Sequence, residues 1–272
     1  MSFDPASIQV GAQVKAPRIQ IIATEGFGKT SFAACYTNRG KDKTEDTDKC
    51  LIIPIGGETG ADGLDVDKTP AVNTYQDLIA ICDYFIENDS KYERIVFDST
   101  SAIEPIINNH ICTCYNVDNV RKVKGFRVGE MAIENCWHEL LGKCDLLRNK
   151  GIEIVFVTHT KVKGFNDPEN ERYDRYVADL EEPNAAILHK WCDIIGFGKV
   201  DLMIRKEDAG FGNERVRAEE SFDRTRYISF EPTATRPGKR RSEFSNMPDK
   251  VELDHLKFKE AMIASVQKTI NT

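Results

Sequence analysis

A short stretch near the start of the chain combines two glycines with a lysine and a threonine, a spacing typical of phosphate binding. It reads Gln-Ile-Ile-Ala-Thr-Glu-Gly-Phe-Gly-Lys-Thr-Ser over residues 20–31. Gly26 and Gly28 let the backbone curl so that successive N–H groups point at phosphate oxygens. Lys29 would reach the β- and γ-phosphates of a nucleotide, and the Thr30 hydroxyl would ligate Mg²⁺. The stretch therefore predicts a P-loop that binds ATP and Mg²⁺.

The motif departs from the strict pattern at its first position, where Ala23 stands in place of glycine. Alanine can hold that position if its φ angle stays negative. An ordinary strand, turn and helix without a ligand is the alternative, but all three fall where the motif requires them. The residues expected to contact the nucleotide are Ala23, Thr24, Glu25, Gly26, Phe27, Gly28, Lys29, Thr30 and Ser31.

Three more polar residues follow apolar runs that are typical of buried strands. Asp98 ends the run Arg94-Ile-Val-Phe-Asp98, where a Mg²⁺ shell needs a carboxylate, so Asp98 and Thr30 are the expected metal ligands. Glu58 follows an earlier run and is either a water-activating base or a plain loop carboxylate. His159 follows a later run, and a lone histidine at a strand end is more often structural than functional.

Two segments mix cations with aromatic rings, the combination that single-stranded nucleic acids use for phosphate contacts and base stacking. Residues 113–129 are predicted to be a loop, and on this stretch alone a solvated charged loop is the better interpretation. Residues 160–183 are predicted to be a long loop, a feature that is usually functional in a compact domain, although this one also carries acids. The expected DNA contacts are Arg121, Lys122, Lys124, Arg127, Lys161, Lys163, Phe165, Arg172, Tyr173 and Arg175.

The elements that must position these residues alternate between strands and helices. Apolar runs predict strands at 18–23, 50–55, 94–98 and 152–158. Helical periodicity predicts helices from the P-loop to Tyr36 and at 74–87, 102–111, 130–149, 184–192 and 254–268. Later strands at 193–205 and 224–230 predict an antiparallel C-terminal extension around the Gly210-Phe-Gly turn. The order predicts an α/β fold with a mostly parallel sheet and helices on both faces.

Composition limits the classes of protein that the chain can belong to. Its 272 residues are 40% hydrophobic and 30% charged, enough to bury a sizeable core. The net charge of −7 argues against a protein coated with nucleic acid, but leaves room for a local basic groove. No apolar run approaches the 18 residues of a membrane span, the start of the sequence lacks a signal pattern, and the eight cysteines lack a zinc-ribbon spacing. We therefore expect a cytoplasmic protein without membrane contact, with a loose lead-in over 1–16 and one domain over 17–270.

Taken in order, these motifs resemble the RecA-like recombination ATPases, in particular the small bacteriophage proteins that act with single-strand annealing. The resemblance covers about residues 17–260 and implies a RecA-like P-loop NTPase core. Beside the P-loop, it rests on Glu58, Arg94-Ile-Val-Phe-Asp98-Ser99, Val157-Thr158-His159, Tyr173-Asp-Arg175-Tyr176, Trp191-Cys-Asp193, and Gly238-Lys239-Arg240-Arg241 before Met247-Pro248.

The resemblance also assigns roles to particular residues. Glu58 would polarise the attacking water, and His159 would be a polar sensor of the γ-phosphate. Lys239 and Arg241 resemble paired cations that reach the nucleotide of a neighbouring subunit, in a basic run that contains no acid. The implied partners are single-stranded DNA, a single-strand-binding protein and further copies of the chain in a ring or filament. A phage-encoded protein of this kind would work in the cytoplasm of a host cell.

The residues alone leave two other functions open. A P-loop kinase of a small molecule would need an acceptor pocket and an arginine-bearing lid, and the 160–183 segment could serve as that lid. A nucleotide-gated interaction protein would bind ATP without fast turnover. The position of Glu58 and the Lys239-x-Arg241 pair favour the ATPase.

Overall fold

A mixed sheet built on the apolar runs organises the protein in the computed structural model, which describes residues 4, 14–169, 171–200, 202–208, 214–220 and 225–270. Most of the lead-in and the Gly210-Phe-Gly turn lie outside the described residues. The strands are β1 (Arg18–Ala23), β2 (Cys50–Pro54), β3 (Asp67–Lys68), β4 (Arg94–Asp98), β5 (Glu153–Phe165), β6 (Tyr173–Ala178), β7 (Ile194–Val200), β8 (Leu202–Asp208), β9 (Glu214–Glu220), β10 (Arg226–Ser229), β11 (Lys239–Arg240) and β12 (Lys250–Glu252). The helices are α1 (Lys29–Ala33), α2 (Tyr75–Glu87), α3 (Ile103–Tyr115), α4 (Val128–Asn149), α5 (Glu182–Trp191) and α6 (His255–Ile270).

The strands of the main sheet follow the order β12-β10-β7-β1-β5-β4-β2-β3, with β11 paired to β7 and β6 paired to β5. The six strands from β7 to β3 are parallel, whereas β10, β11 and β12 add an antiparallel extension at one side. A separate antiparallel pair, β8 with β9, precedes that extension. This arrangement confirms the predicted α/β fold, with a mostly parallel sheet and an antiparallel C-terminal extension.

Alternation along the central strands supplies a core on each face of the sheet. In β4, Ile95 and Phe97 pack on one face with α2, α3, α4 and α5, while Val96 packs on the other with α1 and α6. Successive side chains of a strand point to opposite faces, so an apolar run without alternation indicates a strand covered on both sides. The carboxyl ends of these buried strands therefore form one edge at which polar side chains can meet.

Residues 160–183 are not the long loop that the sequence predicts. Strand β5 continues to Phe165 and pairs antiparallel with β6, with Lys163 opposite Arg175. We call the paired segments Thr160–Phe165 and Tyr173–Ala178 the basic ribbon. β-forming residues such as Val162 and Val177 suit a two-stranded ribbon. The charged residues between them obscured the two-residue alternation that would have predicted strands.

Several helix boundaries also differ from the prediction. Helix α1 ends at Ala33 rather than Tyr36, because Cys35 adopts a left-handed φ of 68° that a helix cannot contain. The predicted 113–129 loop is shorter, since α3 extends to Tyr115 and α4 begins at Val128. Within the described residues, none of the helices combines the length and apolarity needed to cross a membrane.

Candidate nucleotide site

The P-loop joins the end of β1 to the start of α1 in the conformation that its glycines allow. Gly26 and Gly28 have φ angles of 69° and 99°, values that residues with a Cβ atom rarely adopt. A Cβ on Gly28 would also lie 3.3 Å from Leu253 Cδ2, so the loop packs closely against the C-terminal extension. The local sequence therefore fixes both the turn and its close packing.

Lys29 lies inside this loop and is only 6% exposed. Its Nζ donates to the carbonyl oxygens of Ala23 at 3.1 Å and Thr24 at 2.8 Å. Burial lowers the pKa of Lys29, against the opposing attraction of Asp98 and Glu58. Phosphate oxygens would satisfy this ammonium better than two neutral carbonyls do.

Thr30 and Asp98, the expected metal pair, are brought together at the ends of their elements. Thr30 Oγ1 donates to Asp98 Oδ2 at 2.6 Å. Burial raises the pKa of Asp98, although the hydrogen bond from Thr30 opposes that shift. A Cβ on Gly60 would lie 2.9 Å from Thr30 Oγ1, so only glycine leaves room beside the pair. One hydroxyl and one carboxylate fit Mg²⁺, which completes its octahedron with phosphate and water oxygens.

Glu58 accepts two hydrogen bonds at the same edge of the sheet. Ser99 Oγ donates to Glu58 Oε1 at 2.7 Å, and His159 Nε2 donates to the same oxygen at 3.0 Å. Burial would raise the pKa of Glu58, but these two bonds outweigh burial and hold that pKa below its usual range. The carboxylate is ionised at neutral pH, as a general base must be.

Two residues at the site were given no role by the sequence analysis. Ser99 carried a usable signal, because it directly follows the aspartate that ends β4. Arg226 carried none: its Nη1 donates to the carbonyl oxygens of Gly26 at 2.9 Å and Phe27 at 2.6 Å from a distant part of the chain. Only the pairing of β10 with β7 brings this guanidinium behind the P-loop.

Lys239 and Arg241 do not meet the P-loop of their own chain. Lys239 pairs with Ile195 near the start of β7, whereas the P-loop follows the end of the parallel strand β1. Lys239 Nζ donates to the carbonyl oxygen of His189 at 2.7 Å, and Arg241 Nη2 donates to that of Lys190 at 2.9 Å. Both cations thus cap the C-terminal end of α5, where positive charge is favourable.

The basic run also has acids beside it that the local sequence lacks. Arg241 Nε lies 3.2 Å from Asp193 Oδ1. Arg240 Nη2 lies 2.7 Å from Glu231 Oε2 and 2.9 Å from Asp249 Oδ1. The basic run contains no acid of its own, but the fold brings carboxylates to it from elsewhere in the chain.

The cations expected to contact DNA in 113–129 are at the surface, on the connection between α3 and α4. Arg121 and Lys124 are exposed, and Phe126 is 92% exposed. Lys122 pairs with Asp118 at 2.7 Å, and Arg127 pairs with Glu130 at 2.7 Å. Exposed pairs of this kind contribute little stability and can exchange partners.

The second set of expected DNA contacts lies on the basic ribbon and its turn. Lys161 pairs with Asp179 at 3.2 Å and Lys163 with Glu182 at 2.9 Å. The Arg175 guanidinium stands 4.0 Å from the centroid of the Phe165 ring. The remaining members, Arg172 and Tyr173, are respectively exposed and stacked edge-on against Phe165.

Comparisons with known proteins were consistent with the P-loop. A family model described as "AAA domain" matches residues 15–242. Among solved structures, a KaiC-like protein from the hyperthermophilic archaeon Pyrococcus horikoshii OT3 is similar over 79% of this chain and 78% of that chain. Its identity is 11% and its TM-score 0.39, values too low to say anything about activity. No curated protein matches the chain.

Proposed function

The chain belongs to the AAA domain family, and on that premise we propose that this P-loop ATPase is a recombination enzyme that binds single-stranded DNA. It would hydrolyse ATP with Mg²⁺ in an annealing or strand-pairing reaction, and a phage genome would be its source. Its partners would be single-stranded DNA, a single-strand-binding protein and further copies of the chain.

Hydrolysis would depend on residues on or just after four neighbouring strands, β1, β5, β4 and β2. Lys29 would bind the β- and γ-phosphates, while Thr30 and Asp98 would hold Mg²⁺, which would neutralise charge on the phosphates. Glu58, held ionised by its two hydrogen bonds, would orient and deprotonate the attacking water. His159 would sense the γ-phosphate through the same carboxylate oxygen.

One observation carries the DNA-binding proposal: β5 continues without a break from His159 into the basic ribbon. Residue 159 touches Glu58, and residues 161 and 163 present their ammonium groups at the surface. A bound strand that moved the ribbon would therefore pull on the residue beside the proposed base. Cations that bind phosphates and rings that stack on bases are the two parts of a single-strand site.

The deciding experiment compares ATP hydrolysis with and without a single-stranded oligonucleotide. We expect the oligonucleotide to stimulate turnover, and duplex DNA of the same sequence to do so less. Turnover that is fast and indifferent to DNA would contradict the recombination role. Transfer of the γ-phosphate to a metabolite in a cell extract, rather than to water, would favour the kinase alternative instead.

A further inference from the structure

A cavity of about 610 Å³ lies beside the basic ribbon, separate from the P-loop. Its walls come from the ribbon, from one side of α5 and from residues 232–238. The backbone N–H of Tyr176 donates to the carbonyl oxygen of Thr235 at 2.8 Å, so the ribbon and the 232–238 segment are tied together at its edge. Ligand sites typically have volumes of roughly 300–1,000 Å³.

The interior of the cavity is apolar and its rim is basic. Leu180 and Ile195 are buried in the wall, and α5 presents two alanines to the space. The charged residues of the lining are four cations, Lys161, Lys163, Arg175 and Arg236, and two acids, Glu181 and Glu182. Such a space suits a ligand with a flat apolar body and a negatively charged group.

Three nitrogen atoms of the lining are buried without a hydrogen-bond partner in the described part of the chain. They are Arg175 Nε, Arg236 Nε and His189 Nε2. A buried N–H without an acceptor is unfavourable, and both guanidinium groups belong to partly exposed side chains of the lining that can turn to donate to an anion. Burial, together with the charge of Lys239, lowers the pKa of His189 to about 4, so its ring is neutral at physiological pH.

We propose that this cavity binds one nucleotide unit, with its base between the apolar walls and its phosphate on Arg175 and Arg236. Guanidinium groups recognise phosphate oxygens by paired N–H donors. The neutral ring of His189 can hydrogen-bond to the edge of a base without adding charge. The inference rests on the proposed DNA binding and sharpens it, because one base would leave the strand and enter the protein.

The cavity is also placed to report its occupancy to the nucleotide site. Lys161 lies on the rim and is two residues beyond His159 on the same strand. A ligand bound at the rim would therefore shift β5, the strand that holds His159 beside Glu58. A base bound in the cavity would report the presence of single-stranded DNA more specifically than cation contacts to the phosphate backbone would.

The test fills the cavity without touching the core. Ala186→Trp places an indole in the space from an exposed position of α5, and Ala80→Trp makes the same change at an exposed position of α2 as a control. An oligonucleotide with one 2-aminopurine brightens when that base leaves the stack. We expect the wild type and Ala80→Trp to brighten it, and Ala186→Trp to bind about tenfold more weakly without brightening.

A second experiment tests whether the cavity also binds a free nucleotide and whether Arg236 supplies its phosphate contact. Deoxycytidine 5′-monophosphate is titrated into Lys29→Ala protein, in which the P-loop cannot compete, with and without the further change Arg236→Met. Saturable binding that the second change weakens supports a site that accepts free nucleotides. Binding of the oligonucleotide alone, lost in Ala186→Trp, supports a site that accepts only a strand.

The outcomes distinguish this inference from the function on which it rests. If the wild type binds single-stranded DNA and Ala186→Trp binds and brightens it equally well, the cavity proposal is overturned and the DNA-binding proposal survives. If no oligonucleotide binds but the free monophosphate does, in an Arg236-dependent way, the cavity is a nucleotide site and the recombination role is wrong. If neither ligand binds, both proposals are wrong.

Discussion

The reactive side chains of this protein meet because β1 and β4 end at nearly the same level on either side of β5. Ala23 is the Cα partner of His159, and Asp98 is the partner of Val157, so β1 and β4 end two residues apart along β5, which continues past both. The P-loop, the proposed sensor and the metal carboxylate follow from that register. At the scale of single residues, each proposed role can be tested by one substitution.

Lys29→Ala is expected to abolish ATP binding and turnover while the protein stays folded. The change removes the ammonium that would bind the β- and γ-phosphates, and it leaves the carbonyl oxygens of buried Ala23 and exposed Thr24 without this donor. Turnover and a thermal melt are measured together, with Lys41→Ala, at an exposed lysine outside the loop, as a control. Full turnover in a folded Lys29→Ala protein would contradict the P-loop assignment.

Glu58→Gln is expected to bind ATP normally and hydrolyse it more slowly, by about 10²–10⁴-fold, the usual effect of losing a positioned base. The amide keeps the size of the side chain and can still accept from Ser99, so the site should keep its shape. Single-turnover hydrolysis and nucleotide binding are the measurements. A wild-type rate would mean that another group is the base, and Asp62 would be tested next.

Ser99→Ala is expected to move the acidic limb of the pH–rate profile toward higher pH. The Ser99 hydroxyl favours the ionised form of Glu58, so its removal raises the pKa of Glu58. Because a general base works only when deprotonated, the variant should lose activity at a higher pH than the wild type does as the solution is acidified. Ser101→Ala, at a neighbouring hydroxyl, serves as the control, and an unmoved limb would separate Ser99 from the base.

At the scale of elements, the basic ribbon is the part that most needs a test. Neutralising Lys161, Lys163 and Arg175 together should flatten the slope of log affinity for single-stranded DNA against log salt, because fewer counterions are released. Neutralising the same number of cations on the opposite edge of the sheet, at Lys49, Lys91 and Lys259, should leave the slope unchanged. Equal slopes for both triple variants would move the DNA site off the ribbon.

Elements were predictable where local sequence alone decides them. Strands β1 and β4 begin and end where their apolar runs predict, because burial on both faces demands continuous apolar residues. The ribbon was missed because nearly all of its residues are exposed or only half-buried, so apolar burial does not mark its strands. Arg226 could not be placed behind the P-loop, since its position depends on strand pairing across most of the chain.

At the scale of the whole molecule, the proposed assembly makes a prediction about mixtures of variants. Lys239→Ala/Arg241→Ala protein and Lys29→Ala protein should each be inactive and should regain activity when mixed, since each brings the half that the other lacks. Cations engaged on a transferring phosphate raise rates by roughly 10³–10⁵-fold. The wild type should accordingly become more active per subunit as its concentration rises.

The position of both cations at the end of α5 dictates the controls for that experiment. Their loss removes hydrogen bonds to carbonyl oxygens of α5, so the melting curve of the double variant is measured first. Lys239→Arg/Arg241→Lys keeps both charges and should remain active. Activity that is independent of concentration, together with a dead mixture, would show that these cations do not act across a subunit boundary.

The place of β1 in the sheet has a consequence for how the protein is made. Strand β1 ends at Ala23, but the neighbours that cover its two sides begin at Glu153 and Ile194. At synthesis rates of about 5–20 residues per second, its second neighbour emerges on the order of ten to thirty seconds later. Until then at least one edge of this apolar strand is unpaired on the ribosome, where a chaperone can bind it before the nucleotide site has formed.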